Sequence, residues 1–244
     1  MLYNEHERLV DLLSERSNII ISEFFAEFLG SMFLVMAAVA SMIMYTEVFE
    51  TSKAVALLAN AITVTFVLCS LIEMFGPVSG AHFNPVVTMV MFLEKKMNAK
   101  KASLFVLFQL VGGITGTALS RLMFLDDVGY VLAVSNNIRN GYVFLGEIIG
   151  TFILILAILL LVKTRSNKIS IIVGLLVGGQ IMATSSAMFA NPQVTIARMF
   201  TNTAPGIRPI DGLVFIIMQI IGALLAYGVY RFAFSNEIYR KEEN

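Results

Sequence analysis

The chain has 244 residues, 57% of them hydrophobic and 14% charged, with a mean hydropathy of +0.81. A soluble domain carries about a quarter charged residues, so an ordinary globular protein is excluded, as is a disordered or low-complexity one. Formal net charge is zero, from 17 basic and 17 acidic residues, which argues against a nucleic-acid partner. Cys69 is the single cysteine, and His6 and His82 are the only histidines, so neither a disulfide framework nor a His/Cys metal site has enough members. No cofactor and no metal are expected. The composition is that of a polytopic membrane protein bathed in lipid.

Six apolar stretches suffice to cross a hydrocarbon layer of about 30 Å, at about residues 19–44, 54–75, 102–125, 142–162, 169–189 and 213–234. The first carries Glu23 and Glu27 and is expected to line the interior rather than face lipid. Residues 1–18 are polar and precede the apolar run, so no cleavable signal peptide is read there. Leu2, Leu9, Leu12 and Leu13 suit a short amphipathic surface helix, with a polar tail as the alternative. Basic residues are unequally shared between the two sides. Arg8, Arg16, Lys95, Lys96, Lys100, Lys101, Lys163, Arg165, Lys168, Arg231, Arg240 and Lys241 fall on one side, and Lys53, Arg121, Arg139, Arg198 and Arg208 on the other. The positive-inside rule then puts both termini in the cytoplasm, in agreement with an even number of spans, and a plasma (inner) membrane is expected.

The chain repeats itself. Ala26-Glu27-Phe28-Leu29-Gly30 returns as Gly146-Glu147-Ile148-Ile149-Gly150, and Phe108-Gln109-Leu110-Val111-Gly112 as Met218-Gln219-Ile220-Ile221-Gly222. Between them stand Asn84-Pro85-Val86-Val87-Thr88 and Asn191-Pro192-Gln193-Val194-Thr195. Three spans per half is an odd number, so the second half enters from the opposite face and the repeats are inverted.

Each Asn-Pro motif is followed by an apolar run, to about Leu93 and to Phe200, long enough for half a membrane. Asn favours the N-cap and Pro the first helical position, so two re-entrant half-helices meeting N-terminus to N-terminus at the midplane are expected. A lone Asn-Pro would more often be a simple turn. Two copies in register within an inverted repeat favour the half-helices.

The stretch Ser79-Gly80-Ala81-His82-Phe83-Asn84-Pro85-Val86-Val87-Thr88 resembles the first signature loop of the aquaporin, or major intrinsic protein, family. The resemblance extends over essentially the whole chain: six spans, two Asn-Pro half-helices, and a Glu in spans one and four. It implies an all-α membrane fold with an inverted 3+3 repeat, a homotetramer with one pore per subunit, and passive passage of water or small neutral solutes without catalysis. The division expected is a cytoplasmic segment at 1–18, a channel unit at 19–234 with repeats at about 19–125 and 142–234, and a cytoplasmic tail at 235–244.

On this basis the pore centre is expected at Asn84, Pro85, Val86, Asn191, Pro192 and Gln193. Residues 76–83 and 185–190 would offer carbonyls as a ladder of acceptors, and the two Asn side chains would offer donors. Two helix N-termini aimed at one point add roughly half a positive charge each, which disfavours cations while neutral molecules pass. Glu27 and Glu147 would accept hydrogen bonds from the re-entrant loops rather than relay protons, and His82 would brace its own loop. Glu73 is expected at the cytoplasmic mouth. The pairs Gly112/Gly116, Gly146/Gly150 and Gly174/Gly178 have the spacing that lets helices approach closely.

The chain departs from the usual family pattern at the second motif. Where Asn-Pro-Ala-Arg is common, the sequence reads Asn191-Pro192-Gln193-Val194, with Arg198 four residues further on and so on the same helical face. Ungapped comparison puts Val64, Gly179 and Met188 at the other selectivity-filter positions, and none is the aromatic or His of a narrow water-only filter. The stretch 191–209 resembles a microbial subgroup often found with arsenic-resistance genes. Two expectations stand: a wide, weakly polar filter passing glycerol or neutral arsenous acid, or a narrow water filter restored by Arg198 leaning back along its helix. A secondary transporter also uses inverted repeats and broken helices and is the competing class. A scaffold or an intramembrane enzyme ranks lower, the latter for want of a catalytic set.

Overall fold

The computed structural model describes residues 2–235, with side chains from residue 21 onward. It is all-helical among those residues. In chain order the helices are α1 (Leu2–Ile43, continued by a π-helical turn at Met44–Val48), α2 (Lys53–Ser79), α3 (Pro85–Leu93), α4 (Ala99–Met123) and the single turn α5 (Leu125–Val128). The second half holds α6 (Val143–Lys163), α7 (Ile169–Ala183), α8 (Pro192–Arg198) and α9 (Pro209–Val229, with a π-helical turn at Tyr230–Phe234). Residues 2–18 are the start of α1 and run straight into the first span, not a separate surface helix. The expected tail beyond residue 235 lies outside the described residues.

Helix α1 packs on α4 and α2, α6 packs on α9 and α7, and α2 joins the halves by packing on α7. Inter-helix closeness is set by small residues at matching points of the repeat. A Cβ on Gly112 would lie 2.3 Å from the carbonyl oxygen of Phe28, and one on Gly222 would lie 2.5 Å from that of Ile148. Phe28 and Ile148 correspond in the two halves, so one contact is built twice. Large apolar side chains such as Phe66, Leu175 and Phe232 stand on the outside, more than half exposed, as a lipid-facing surface requires.

The five helical stretches Ile21–Val48, Lys53–Ser79, Ala99–Met123, Val143–Lys163 and Pro209–Phe234 are long and apolar enough to span a membrane. The sixth expected span is shorter than the sequence implies. Helix α7 has 15 residues, a rise of about 22 Å, because Thr184-Ser185-Ser186 compete with the helix for its backbone groups. The Thr184 hydroxyl donates to Gln180 O at 2.7 Å, and Met188 N donates to Thr184 Oγ1 at 3.0 Å. The chain then continues without helix to Asn191, and residues 188–191 are buried in protein. On the other side the helix outlasts expectation: α2 carries Pro77 in its last turn and reaches Ser79, so only residues 80–84 are irregular there.

Candidate functional site

Both half-helices form and face each other. Asn84 and Asn191 are N-caps, each accepting through Oδ1 from the second helical residue, Val86 N and Gln193 N, both at 3.1 Å. Pro85 and Pro192 stand at the first helical position, where the missing N–H costs nothing. The side-chain amides cross between halves: Asn84 Nδ2 donates to Ala190 O at 2.9 Å, and Asn191 Nδ2 to Phe83 O at 2.8 Å. Those two innermost carbonyls are thus engaged by the Asn pair, and residues 76–79 belong to α2, so on that side the irregular backbone expected to offer acceptors is shortened to residues 80–83.

The loops that deliver the Asn residues are held by the two buried glutamates. Glu27 Oε1 accepts from Ser79 Oγ at 2.6 Å and His82 N at 3.0 Å, and Oε2 from Phe83 N at 2.8 Å and Gln109 Nε2 at 2.7 Å. Glu147 accepts from Phe189 N at 2.9 Å, Ala190 N at 2.8 Å and Gln219 Nε2 at 2.6 Å. These bonds are needed because Ala81, Phe83, Met188 and Ala190 all adopt positive φ, an unfavourable conformation for a residue with a Cβ. Gln109 and Gln219 also donate to Thr88 Oγ1 at 2.9 Å and Thr195 Oγ1 at 2.8 Å, tying each glutamate to its half-helix. His82 Nδ1 lies 3.1 Å from Thr88 Oγ1, and its ring meets Phe105 edge-on, so it braces its own loop. Both Gln and Thr pairs stand in the repeated pentapeptides, where sequence reasoning used them for register and gave them no role.

A cavity of about 350 Å³ runs past this centre. Asn84, Val87 and Met91 of one half-helix and Asn191, Val194 and Arg198 of the other lie on its wall, the i, i+3, i+7 face in each case. Pro85, Val86, Pro192 and Gln193 do not line it. They lie on the packed side of the half-helices, with Gln193 Nε2 donating to Phe83 O at 3.2 Å. Of the expected filter residues, Val64, Met188, Val194 and Arg198 reach the wall and Gly179 does not. Helix α7 presents Val173, Val177 and Ile181 instead, spaced four apart, and Gly179 falls about 160° from Ile181 on the opposite, exposed face.

The Arg198 guanidinium is buried, with its Cζ 4.2 Å from the Phe189 ring centroid and its Nη2 3.4 Å from Ala38 O. Since Phe189 precedes the half-helix, the side chain does lean back toward the N-terminus. Arg139 lies 5.0 Å from the same ring centroid, an arrangement no motif announced. It is anchored by loop carbonyls, with Nε donating to Gly206 O at 3.0 Å and Nη2 to Ala204 O at 3.3 Å. Burial pulls its pKa below the ordinary guanidinium value, and the charge of Glu147 opposes that shift. Among the described residues the cavity wall carries no Asp or Glu, and its charged members are Lys96 and Arg198. Glu73 is bonded to Ser170 Oγ at 2.6 Å, at the start of α7. No group of three or more metal-ligating side chains occurs among the described residues.

Comparison with known proteins agrees with this architecture. The family model described as Major intrinsic protein matches residues 14–190. The aquaglyceroporin AqpS of Rhizobium meliloti (strain 1021) is 39% identical over 207 residues, covering 84% of this chain and 87% of its own. Aquaporin-4 of Homo sapiens is 24% identical over 221 residues, covering 87% of this chain and 67% of its own. The X-ray structure of the aquaglyceroporin from Plasmodium falciparum matches with a TM-score of 0.69 at 21% identity, over 88% of this chain and 97% of that one, a likeness of fold. On its half-helices, its repeat and these relatives together, the chain is an integral membrane protein that belongs to the major intrinsic protein family.

Proposed function

We propose that the chain is a passive channel for water and small uncharged solutes, glycerol-like polyols first and neutral arsenous acid next, with ions and protons excluded. The observation that carries this is the cavity wall: apolar along most of its length, crossed at its centre by two Asn amides, and free of carboxylates among the described residues. Each amide has one N–H engaged by a loop carbonyl and a second left for a passing oxygen. A cation would lose its hydration there and meet two helix N-termini, whereas a neutral molecule exchanges one hydrogen bond for another. Val64, Ile181, Met188 and Val194 supply aliphatic and thioether surface at the filter, which favours the wide pore. The name of the relative AqpS, an aquaglyceroporin, points the same way.

The second possibility, a water-only channel, is favoured by one observation: the Arg198 guanidinium stands on the cavity wall, where its Nη2 donates to Ala38 O. Stopped-flow light scattering on proteoliposomes separates the two. Fast responses to both a water and a glycerol gradient are expected for the wide pore. A water response alone, with glycerol entry gained in Arg198→Ala, identifies the narrow one, and glycerol exclusion unchanged in Arg198→Ala counts against both. Flux that saturates or follows a proton gradient would favour a coupled transporter.

The channel unit is assigned to residues 19–234, the assembly to a homotetramer, and the location to the plasma membrane with both termini cytoplasmic. The asymmetry of basic residues supports the orientation.

A further inference from the structure

A second cavity, of about 230 Å³, opens beside the Met91 end of the central one. It lies between the end of α3 and the end of α6, closed on one side by Tyr230. The two helices that frame it end alike. Lys95 follows α3 at φ 56°, and Lys96 N returns to Met91 O at 2.9 Å; Arg165 follows α6 at φ 50°, and Ser166 N returns to Leu161 O at 3.0 Å. Glycine is the usual left-handed residue of such a closure, because a Cβ is strained there. Here both left-handed residues are cationic. The strained turn at Arg165 gives that residue to the cavity wall.

The charge of this wall is positive. Lys96 and Arg165 add their charges to a wall whose Glu94 carboxylate is already compensated by Arg231 Nη1 at 3.2 Å. Lys163 donates to the carbonyl of Phe234 and lies 6.0 Å from the Tyr230 ring centroid. The C-terminal ends of α3 and α6 contribute roughly half a negative charge each, which is less than the cations supply. The cavity sits at the C-terminal end of the apolar stretch Val143–Lys163, where a spanning helix would meet lipid headgroups.

We propose that this cavity binds a phosphate-type oxyanion, either the phosphate of an anionic lipid headgroup or that of a small soluble phosphate ester. Arg165 and Lys96 are its principal donors, the guanidinium offering the two-pronged geometry that phosphate oxygens accept. Met91, Lys96 and Val162 line both cavities, so an occupant fixes one wall of the neighbouring mouth and alters flux through it. That second half rests on the channel function proposed above.

Binding is tested first, on the purified full-length protein. Native mass spectrometry reads retention of phosphatidylglycerol against phosphatidylcholine, and thermal stabilisation reads inorganic phosphate and glycerol phosphate. At least one of the anionic probes is expected to bind, about fivefold more weakly in each of Lys96→Ala and Arg165→Gly. Arg165→Gly relieves the left-handed strain and is expected to be at least as stable as the parent, so lost binding is not misfolding. Retention of phosphatidylglycerol alone identifies the headgroup, and response to the soluble probes identifies the ester. No binding by any probe, or equal binding in parent and both variants, overturns the proposal. Flux is then measured in phosphatidylcholine liposomes with and without the probe that bound. A change in the parent that shrinks in Arg165→Gly establishes the coupling, and unchanged flux overturns the coupling. Absence of flux in both membranes is instead the failure of the channel function, and the binding result stands apart from it.

Discussion

Asn84 and Asn191 each divide one side chain among three tasks: capping a half-helix, bonding the opposite loop, and facing the cavity. Their positions depend on Glu27 and Glu147, which are buried acceptors surrounded by donors and stand off the cavity wall. Glu27→Ala would leave four buried donors without an acceptor, a cost on the order of 3 kcal/mol or more. The expected result is a thermal midpoint several degrees lower in detergent and lost water flux. Glu27→Gln keeps one acceptor oxygen and should fall between the two. The glutamates and Asn residues were legible in sequence because the repeat prints them twice. Arg121 and Arg139 were not, because most of their partners are backbone carbonyls outside the repeated motifs, Tyr130 and Val128 beside the Thr201 hydroxyl for one and Gly206 and Ala204 for the other. No side-chain pattern encodes a carbonyl acceptor.

At the scale of helices, periodicity settles which residues meet the cavity. The sequence suggested consecutive residues at each motif, whereas a helix of 3.6 residues per turn shows only one in three or four, here Asn84, Val87 and Met91. The same rule separates Gly179 from Ile181 on α7. Gly179 has open space around it, with nothing within 4 Å of an added Cβ, so Gly179→Phe is expected to leave glycerol and water flux near the parent values. Ile181→Phe should reduce glycerol flux in the same stopped-flow assay. The reverse pattern would restore Gly179 to the filter. Close packing gives a further test, since an alanine at Gly112 or Gly222 would press on helix backbone rather than on a movable side chain. Either substitution should lower thermal stability by about 1–3 kcal/mol. The short α7 was hidden from hydropathy because residues 186–190 are mostly buried and small or apolar while not helical, and only the Thr184-Ser185-Ser186 run betrays the break.

For the whole molecule, the two halves are related point by point: Glu27 with Glu147, Gln109 with Gln219, Thr88 with Thr195, Val87 with Val194. The repeat made the architecture readable from sequence, and its exceptions mark the two mouths as different. Met91 in the first half corresponds to Arg198 in the second, so at matching positions of the repeat one half-helix gives the cavity a thioether and the other a guanidinium. Which end faces the cytoplasm is open to direct labelling. In a Cys69→Ser background, Lys53→Cys should react with an impermeant maleimide on intact cells, and Asn167→Cys only after permeabilisation. The opposite result would invert the topology.

The crossed amides also impose an order in time. When residues up to about 125 have left the ribosome, Glu27 and Gln109 exist and can hold the first loop. Asn84 at that moment has no Ala190 to bond, and Phe83 O has no Asn191. The first half therefore enters the membrane with its central amide unmatched, and synthesis of the second half-helix supplies the missing partners in both directions at once. The central cavity is thus completed late in synthesis, and a chain interrupted between the halves can form neither of the crossed bonds.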